Sequence, residues 1–297
     1  YLIEEGLLAK LDNGLYAITN LGAILFGKDL TDFTTVRNKR ITLIKYQGED
    51  RKIIEKHMSF SKGYAICFEE ILRLLDAFVP SESISDPDKK LVKISAVPAR
   101  ALRGLLLNAL EHQDYSDHSF GIILEVFKNR IEIMNAGVPS VQSYNLVISE
   151  KKCRNEKSYQ LMQRFFSQGE DLGLMTVLKD CAENMIPSPL LHSDDNTTNV
   201  IIRFQTPIAQ LDTEERIWSC FTHACTLYAA GQTMSNQTLK SRFGRDECSI
   251  STISRIIKET MNQGLIRAVD LNTAPRYMKY VPFYAAAALD TETKSQS

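Results

Sequence analysis

The amino-acid sequence predicts an α+β fold: an α/β sandwich between a small N-terminal α/β connector and a C-terminal helical module. Two observations carry the sandwich. Within Ala101–Tyr115, Leu102, Leu105, Leu106, Ala109 and Leu110 recur at helical spacing, while Gly104, Asn108 and His112 form a second line four residues apart. After that helix come two strand-like runs, Phe120–Val126 and Arg130–Asn135, with a tight hairpin at Asn129-Arg130. A third observation carries the module. Three amphipathic stretches between Asp212 and Met261 precede two short strands, the order of a winged helix-turn-helix.

Taken in order, residues 1–30 read as helix, hairpin, helix. Asp12-Asn13-Gly14 is the turn, and Thr19-Asn20 caps Leu21–Phe26. Arg40–Tyr46 is a strand ended by Gln47-Gly48. Tyr64–Val79 is an amphipathic helix with Ile66, Phe68, Ile71, Leu74, Leu75 and Phe78 apolar. The polar stretch Pro80–Lys90 breaks the pattern and sets a boundary, which makes 1–85 the connector and 86–208 the sandwich domain. Past the loop Asn135–Pro139, Ser158–Phe166 and Leu172–Asn184 read as helices and Asn199–Phe204 as the closing strand. The module spans 212–285. Asp212-Thr213 caps its first helix, Asn236–Phe243 is its second, and Ser249 or Ser251 caps a third that Gly264 ends. Residues 286–297 lack a core face and are expected to be a disordered tail.

Composition excludes several classes. The chain has 297 residues and a net charge of -1, so any nucleic-acid signal must be regional. Its six cysteines form no CxxC pair and no zinc spacing, and read as free cytosolic thiols. No apolar run is long enough for a membrane span and no signal peptide is evident, so the expectation is a cytoplasmic protein without a membrane partner. The chain opens on Tyr1 in mid-helix character, so a further upstream segment is expected. No Walker loop, HExxH or GxSxG occurs.

Four stretches together carry a family resemblance: Asn108 to Ser116, Ile131 to Gly137, Arg154-Asn155 and Gly173-Leu174-Met175. The region from Val97 to Phe204 resembles the C-terminal ATPase-like domain of bacterial proteins described as RecG-related helicases or transcriptional regulators. That domain is similar to the GHKL fold of gyrases and histidine kinases. Ile18 to Lys28 also resembles these proteins, in which an AlbA-like domain shared with Schlafen proteins precedes it.

The resemblance implies ATP and Mg²⁺ as cofactors, with Asn108 at the position of the Mg²⁺-coordinating asparagine. His112, Asn135, Gly137 and Gly173 fall on nucleotide-side positions. Three departures argue against hydrolysis. Gly104 stands where hydrolytic members carry the water-activating glutamate, and loss of a general base costs about 10²–10⁴ in rate. Asn135 replaces the adenine-reading aspartate, and Gly169–Gly173 places two acids near the expected phosphates. No catalytic residue is therefore assigned. The residues alone leave open that Asn108 only satisfies a buried backbone group. The His112, Asp114, Asp117 and His118 cluster matches no zinc pattern.

The module carries the regional charge. Asn236 to Tyr280 holds eight basic residues against four acidic ones, a net +4. Lys240, Arg242, Arg245, Arg255, Lys258, Arg276 and Lys279 are expected to meet phosphates, with Ser251 and Thr252 near base edges. The reading that follows is a homodimeric DNA-binding transcriptional regulator. Its degenerate ATPase-like domain acts as scaffold, dimerisation module or nucleotide sensor. The alternatives are an active ATPase in which an acid such as Glu111 replaces the base, or a signalling scaffold without DNA contact.

Overall fold

The structure is a computed structural model that describes residues 1–85, 91–139, 153–167, 172–244 and 248–285. Its contacts define two units. One comprises the described residues of Tyr1–Ser140, Lys151–Leu174 and Leu191–Ile202; the other comprises those of Met175–Leu190 and Arg203–Ser297.

The first unit opens with turns. A helix was expected over the first eight residues, but Gly6 takes a left-handed φ of 72° and ends the chain's first turn, so β1 (Leu8–Lys10) follows. β1 pairs antiparallel with β2 (Tyr16–Ile18), and Thr19 caps α1 (Asn20–Phe26) by accepting from Gly22 N at 3.1 Å. β3 (Ile41–Tyr46) forms a hairpin with β4 (Ile54–Phe60), a strand the sequence reading lacked. α2 (Tyr64–Phe78) buries Tyr64, Cys67, Phe68, Ile71, Leu72 and Leu75 at helical spacing. β5 (Ser81–Ser85) and β6 (Leu91–Ser95) then pair antiparallel, where a polar boundary was expected. α3 (Ala99–His112) precedes β7 (Ile123–Val126), β8 (Arg130–Ala136) and α4 (Glu156–Phe166). β9 (Leu190–Ser193) and β10 (Thr197–Arg203) complete a six-stranded mixed sheet of order β4-β3-β7-β8-β10-β9. α3 packs against β8, α2 and α4.

The boundary near residue 86 does not survive. β3 runs parallel to β7, with Thr42 opposite Ile123 and Lys45 opposite Val126, so the N-terminal region supplies two strands of the sheet. Gly121 permits the approach: a Cβ there would lie 2.0 Å from Arg40 O. On the polar face, the cross-strand carboxylates Glu125 and Glu132 stand opposite one another and are both buried. Such a pair repels unless countered. Arg51 bridges both, with Nη2 2.6 Å from Glu125 and 2.8 Å from Glu132, and Arg130 donates to Glu132 at 2.7 Å.

In the second unit, Met175–Leu190 belongs with the C-terminal helices, not with the sandwich to which the sequence assigned it. This segment includes most of α5 (Leu174–Glu183). Trp218 Nε1 donates to Pro189 O at 2.8 Å, and Ser188 shares a 2.8 Å hydrogen bond with Thr222. α6 (Thr213–Ala229) starts at a capping box between Asp212 and Glu215, and α7 (Asn236–Arg242) at one between Ser235 and Thr238. Ser249 caps α8 (Ile250–Asn262). Ile217, Phe221, Leu239, Ile253, Ile256 and Ile257 form the core among these helices. β11 (Ile266–Ala268) and β12 (Tyr280–Pro282) form an antiparallel pair, and Met234 bridges to Tyr280 beside it.

Candidate functional site

Two places in the molecule concentrate polar chemistry. The first is the C-terminal end of α3. The helix leaves carbonyls without intrahelical partners there, as every α-helix does. Asn155 supplies the missing donors: its Nδ2 reaches Leu110 O at 3.3 Å, Glu111 O at 3.0 Å and Gln113 O at 2.7 Å. Asp114 closes an Asx turn by accepting from Ser116 N at 2.8 Å and Ser116 Oγ at 2.6 Å, and also pairs with Arg154. The Ser116 hydroxyl, seconded by the Ser116 backbone and the Arg154 guanidinium, holds the Asp114 carboxyl below the usual carboxylate range. Gln113 is fully buried. It accepts from Ala136 N at 3.2 Å and donates to Asp114 O and Phe120 O, tying the helix end to the end of β8.

Lys39 completes this arrangement. Its side chain is 1% exposed, and Nζ donates to Asp114 O at 2.9 Å, to Phe120 O at 3.0 Å and to Asp117 O. All three ammonium donors therefore meet carbonyls. Burial pulls its pKa down, against the charges of Asp117 and Asp114. The sequence reading missed Lys39, Gln113 and the Arg51 bridge.

The nucleotide-side residues divide into committed and uncommitted groups. Gly137 adopts φ 101°, its N–H donates to Asn196 O at 2.7 Å, and an added Cβ would come within 3.1 Å of the Arg154 guanidinium. Asn135 is buried and donates to Ala136 O at 3.1 Å. Gly104 is buried in α3. Glu111 is buried too. The nearby Cys153 thiol is pushed up to about 12, by burial first and by the Glu111 carboxylate second. His112 is half-buried with Nε2 4.0 Å from Glu111. Gly173 is half-buried just before α5, while Gly169, Glu170 and Asp171 lie outside the described residues. Asn108 is half-buried on α3, and its amide has no hydrogen-bond partner among the described residues. No group of three or more His, Cys, Asp or Glu able to hold a metal occurs among the described residues.

The second place is the surface of α8. Ile253, Ile256 and Ile257 face the core, leaving Ser251, Ser254, Arg255 and Lys258 exposed along the other side. Arg255 lies 4.0 Å from Glu259, an exposed pair of small energetic weight. Arg276 and Lys279 are exposed in the segment leading into β12, and Lys240 is half-exposed on α7. Three expected contacts are otherwise occupied, Ser251 among them: its hydroxyl shares a 2.7 Å hydrogen bond with Ser249 Oγ. Arg242 is buried, its Nη2 donates to Ile186 O at 2.5 Å, and burial draws its pKa down to about 10; it anchors α7 and cannot meet a phosphate. The Thr252 hydroxyl lies 3.0 Å from Ser249 Oγ at the helix cap. Arg245 and the tail 286–297 lie outside the described residues.

The described residues form a mixed α/β structure with a six-stranded mixed sheet. Residues 121–202 match the family model described as putative ATP-dependent DNA helicase recG C-terminal, which supports a RecG-related, ATPase-like domain there. The match begins after Asn108 and His112. A solved structure of the DIP2311 protein from Corynebacterium diphtheriae is similar at a TM-score of 0.55 and 13% identity, over 97% of this chain and 57% of that one. The likeness is one of fold, and the chain spans little more than half the length of that neighbour. No curated protein matches the chain. No helix among the described residues is long and apolar enough to cross a membrane.

Proposed function

We propose that the chain is a DNA-binding regulator whose second unit acts as a winged helix-turn-helix. In this reading α7 and α8 form the helix-turn-helix, α8 is the recognition helix, and the β11–β12 hairpin is the wing. The observation that carries it is the exposed row Ser251, Arg255 and Lys258 on α8, at i, i+4 and i+7 opposite the buried isoleucines. Arg276 and Lys279 add cations beside β12. The two cations of such a row neutralise phosphates. A homodimer would place two such helices on one duplex. The test is an electrophoretic shift series across salt with Arg255→Ala and Lys258→Ala. Loss of affinity with a shallower salt slope is expected; indifference to both substitutions and to salt sinks the reading.

The first unit serves as a non-hydrolysing scaffold or nucleotide sensor. Gly104 offers no base, and Glu111, the acid nearest in sequence, is buried against Cys153. The uncommitted amide of Asn108 is the observation that favours nucleotide binding. Its oxygen suits Mg²⁺, which would screen nucleotide phosphates when bound. Titration of a fluorescent ATP analogue with Mg²⁺ checks this; absence of binding to the unaltered chain removes the sensor role and leaves the scaffold.

A further inference from the structure

The first turn of α8 is polar in sequence, but its hydroxyls are already engaged. Ser249 Oγ accepts from Thr252 N at 3.2 Å, and lies 2.7 Å from Ser251 Oγ and 3.0 Å from Thr252 Oγ1. These groups serve the helix cap, and a base drawing on any of them would compete with it. The next hydroxyl along, Ser254, accepts from Asn236 Nδ2 at 2.8 Å and ties α8 to α7. One side chain of the turn is left largely to solvent. Ile250, the first residue of the helix, is 65% exposed, whereas Ile253, Ile256 and Ile257 are buried. It is the only large apolar side chain of α8 that is exposed. Farther along the helix, Arg255 and Lys258 face solvent, and Glu259 is the only acid of α8. Recognition helices bring their N-terminal residues to base edges, and Ile250 stands at that end. Most base-edge features in the major groove are hydrogen-bond donors and acceptors, which an aliphatic side chain cannot meet. Thymine adds a 5-methyl group, on which such a side chain packs.

We propose that Ile250 is a thymine reader: its side chain packs on a thymine 5-methyl in the major groove while Arg255 and Lys258 hold phosphates. This inference rests on the reading of α8 as a recognition helix, and it adds a base preference to that reading. One buried methyl is worth about fourfold in affinity. The contact releases no counterions, so the factor is the same at every salt concentration. The experiment selects the full chain's preferred duplex from a random pool. That duplex is then resynthesised with deoxyuridine in place of one thymidine at a time, which removes only the methyl. In electrophoretic shifts, the unaltered chain should bind about fourfold more weakly when the contacted thymidine is replaced, by the same factor across a salt series. Ile250→Ala should bind both duplexes equally, at about the affinity of the unaltered chain for the uracil form. Ile250→Val, which keeps a branched apolar side chain, should retain part of the preference. Circular dichroism of each variant separates loss of the contact from loss of the fold. Indifference of the unaltered chain to every replacement, or a preference that persists in Ile250→Ala, overturns the proposal and leaves the DNA reading standing. Failure of the unaltered chain to bind any duplex takes both down.

Discussion

The end of α3 and the surface of α8 are both polar, and they treat their polar groups in opposite ways. At α3, Asp114, Gln113, Asn155 and Lys39 are saturated by one another and by backbone carbonyls. On α8, Arg255 and Lys258 project into solvent with little more than a 4.0 Å contact to Glu259. The densest motif in the chain thus works as a clasp. The sparser basic row holds the groups still free to meet something else. A cluster of polar residues says where a fold is tied; whether it also binds depends on which donors and acceptors are left over.

That contrast can be attacked from both sides. The largest effect is expected from Lys39→Met, which takes a donor from three part-buried carbonyls and leaves Asp117 O without one, Asp114 O and Phe120 O keeping Gln113. It should lower unfolding free energy by about 3 kcal/mol or more, read by urea denaturation. A change under about 1 kcal/mol would mean that the clasp carries no weight.

The second unit should show a large effect of another kind. His223 on α6 has both ring nitrogens buried without a hydrogen-bond partner among the described residues, and burial, then the charge of Arg242, depress its pKa to about 4. The unfolded chain takes up this proton near pH 6.5, while the folded chain holds off until about 4. Stability from this group is therefore complete above pH 6.5 and is lost as pH falls toward 4, by about 2 kcal/mol. His223→Leu should flatten that part of the stability–pH curve relative to the unaltered chain. An unchanged curve would show that His223 is protonated without cost.

Next is the double variant Arg255→Ala with Lys258→Ala. Its DNA affinity should fall about tenfold near 0.1 M salt and its log–log salt slope should flatten by about 2, with unfolding free energy within about 0.5 kcal/mol. If stability drops instead, the row belongs to the fold and the contrast fails. The smallest structural effect is expected from Asn108→Ala, the one uncommitted amide on α3. Stability should move by under about 0.5 kcal/mol, while affinity for a Mg²⁺–ATP analogue falls about tenfold. A large stability loss without any change in nucleotide affinity would return Asn108 to the clasp.

Much of this architecture is legible in the order of residues. The apolar spacing of α3, the Ile131/Ile133 alternation of β8, and the caps Thr19, Asp212 and Ser249 each rest on chemistry within a few residues. What is not legible depends on distant partners. β4 reads Ile-Glu-Lys-His-Met-Ser-Phe, with its first four residues exposed, so its pairing with β3 leaves no clean period-two pattern. The parallel match of β3 to β7 joins segments about eighty residues apart, across a stretch whose polarity reads as a boundary. Arg242 and Lys258 both read as cations on a basic helix pair. Only the fold shows that one is buried on Ile186 and the other faces water. Likewise Arg154-Asn155 reads as part of a nucleotide pattern, while its visible task is to cap α3 and hold Asp114.

Lys39 has a final implication. Proteins often organise a loop of inward carbonyls around a potassium or sodium ion recruited from the bath, and the loop's order then follows the composition of that bath. Here the cation is tethered to the chain, so its local supply is fixed once the protein folds. The segment from Asp114 to Phe120 should keep one shape in potassium, in sodium or after exhaustive dialysis, even in buffers whose ionic strength governs whatever α8 holds.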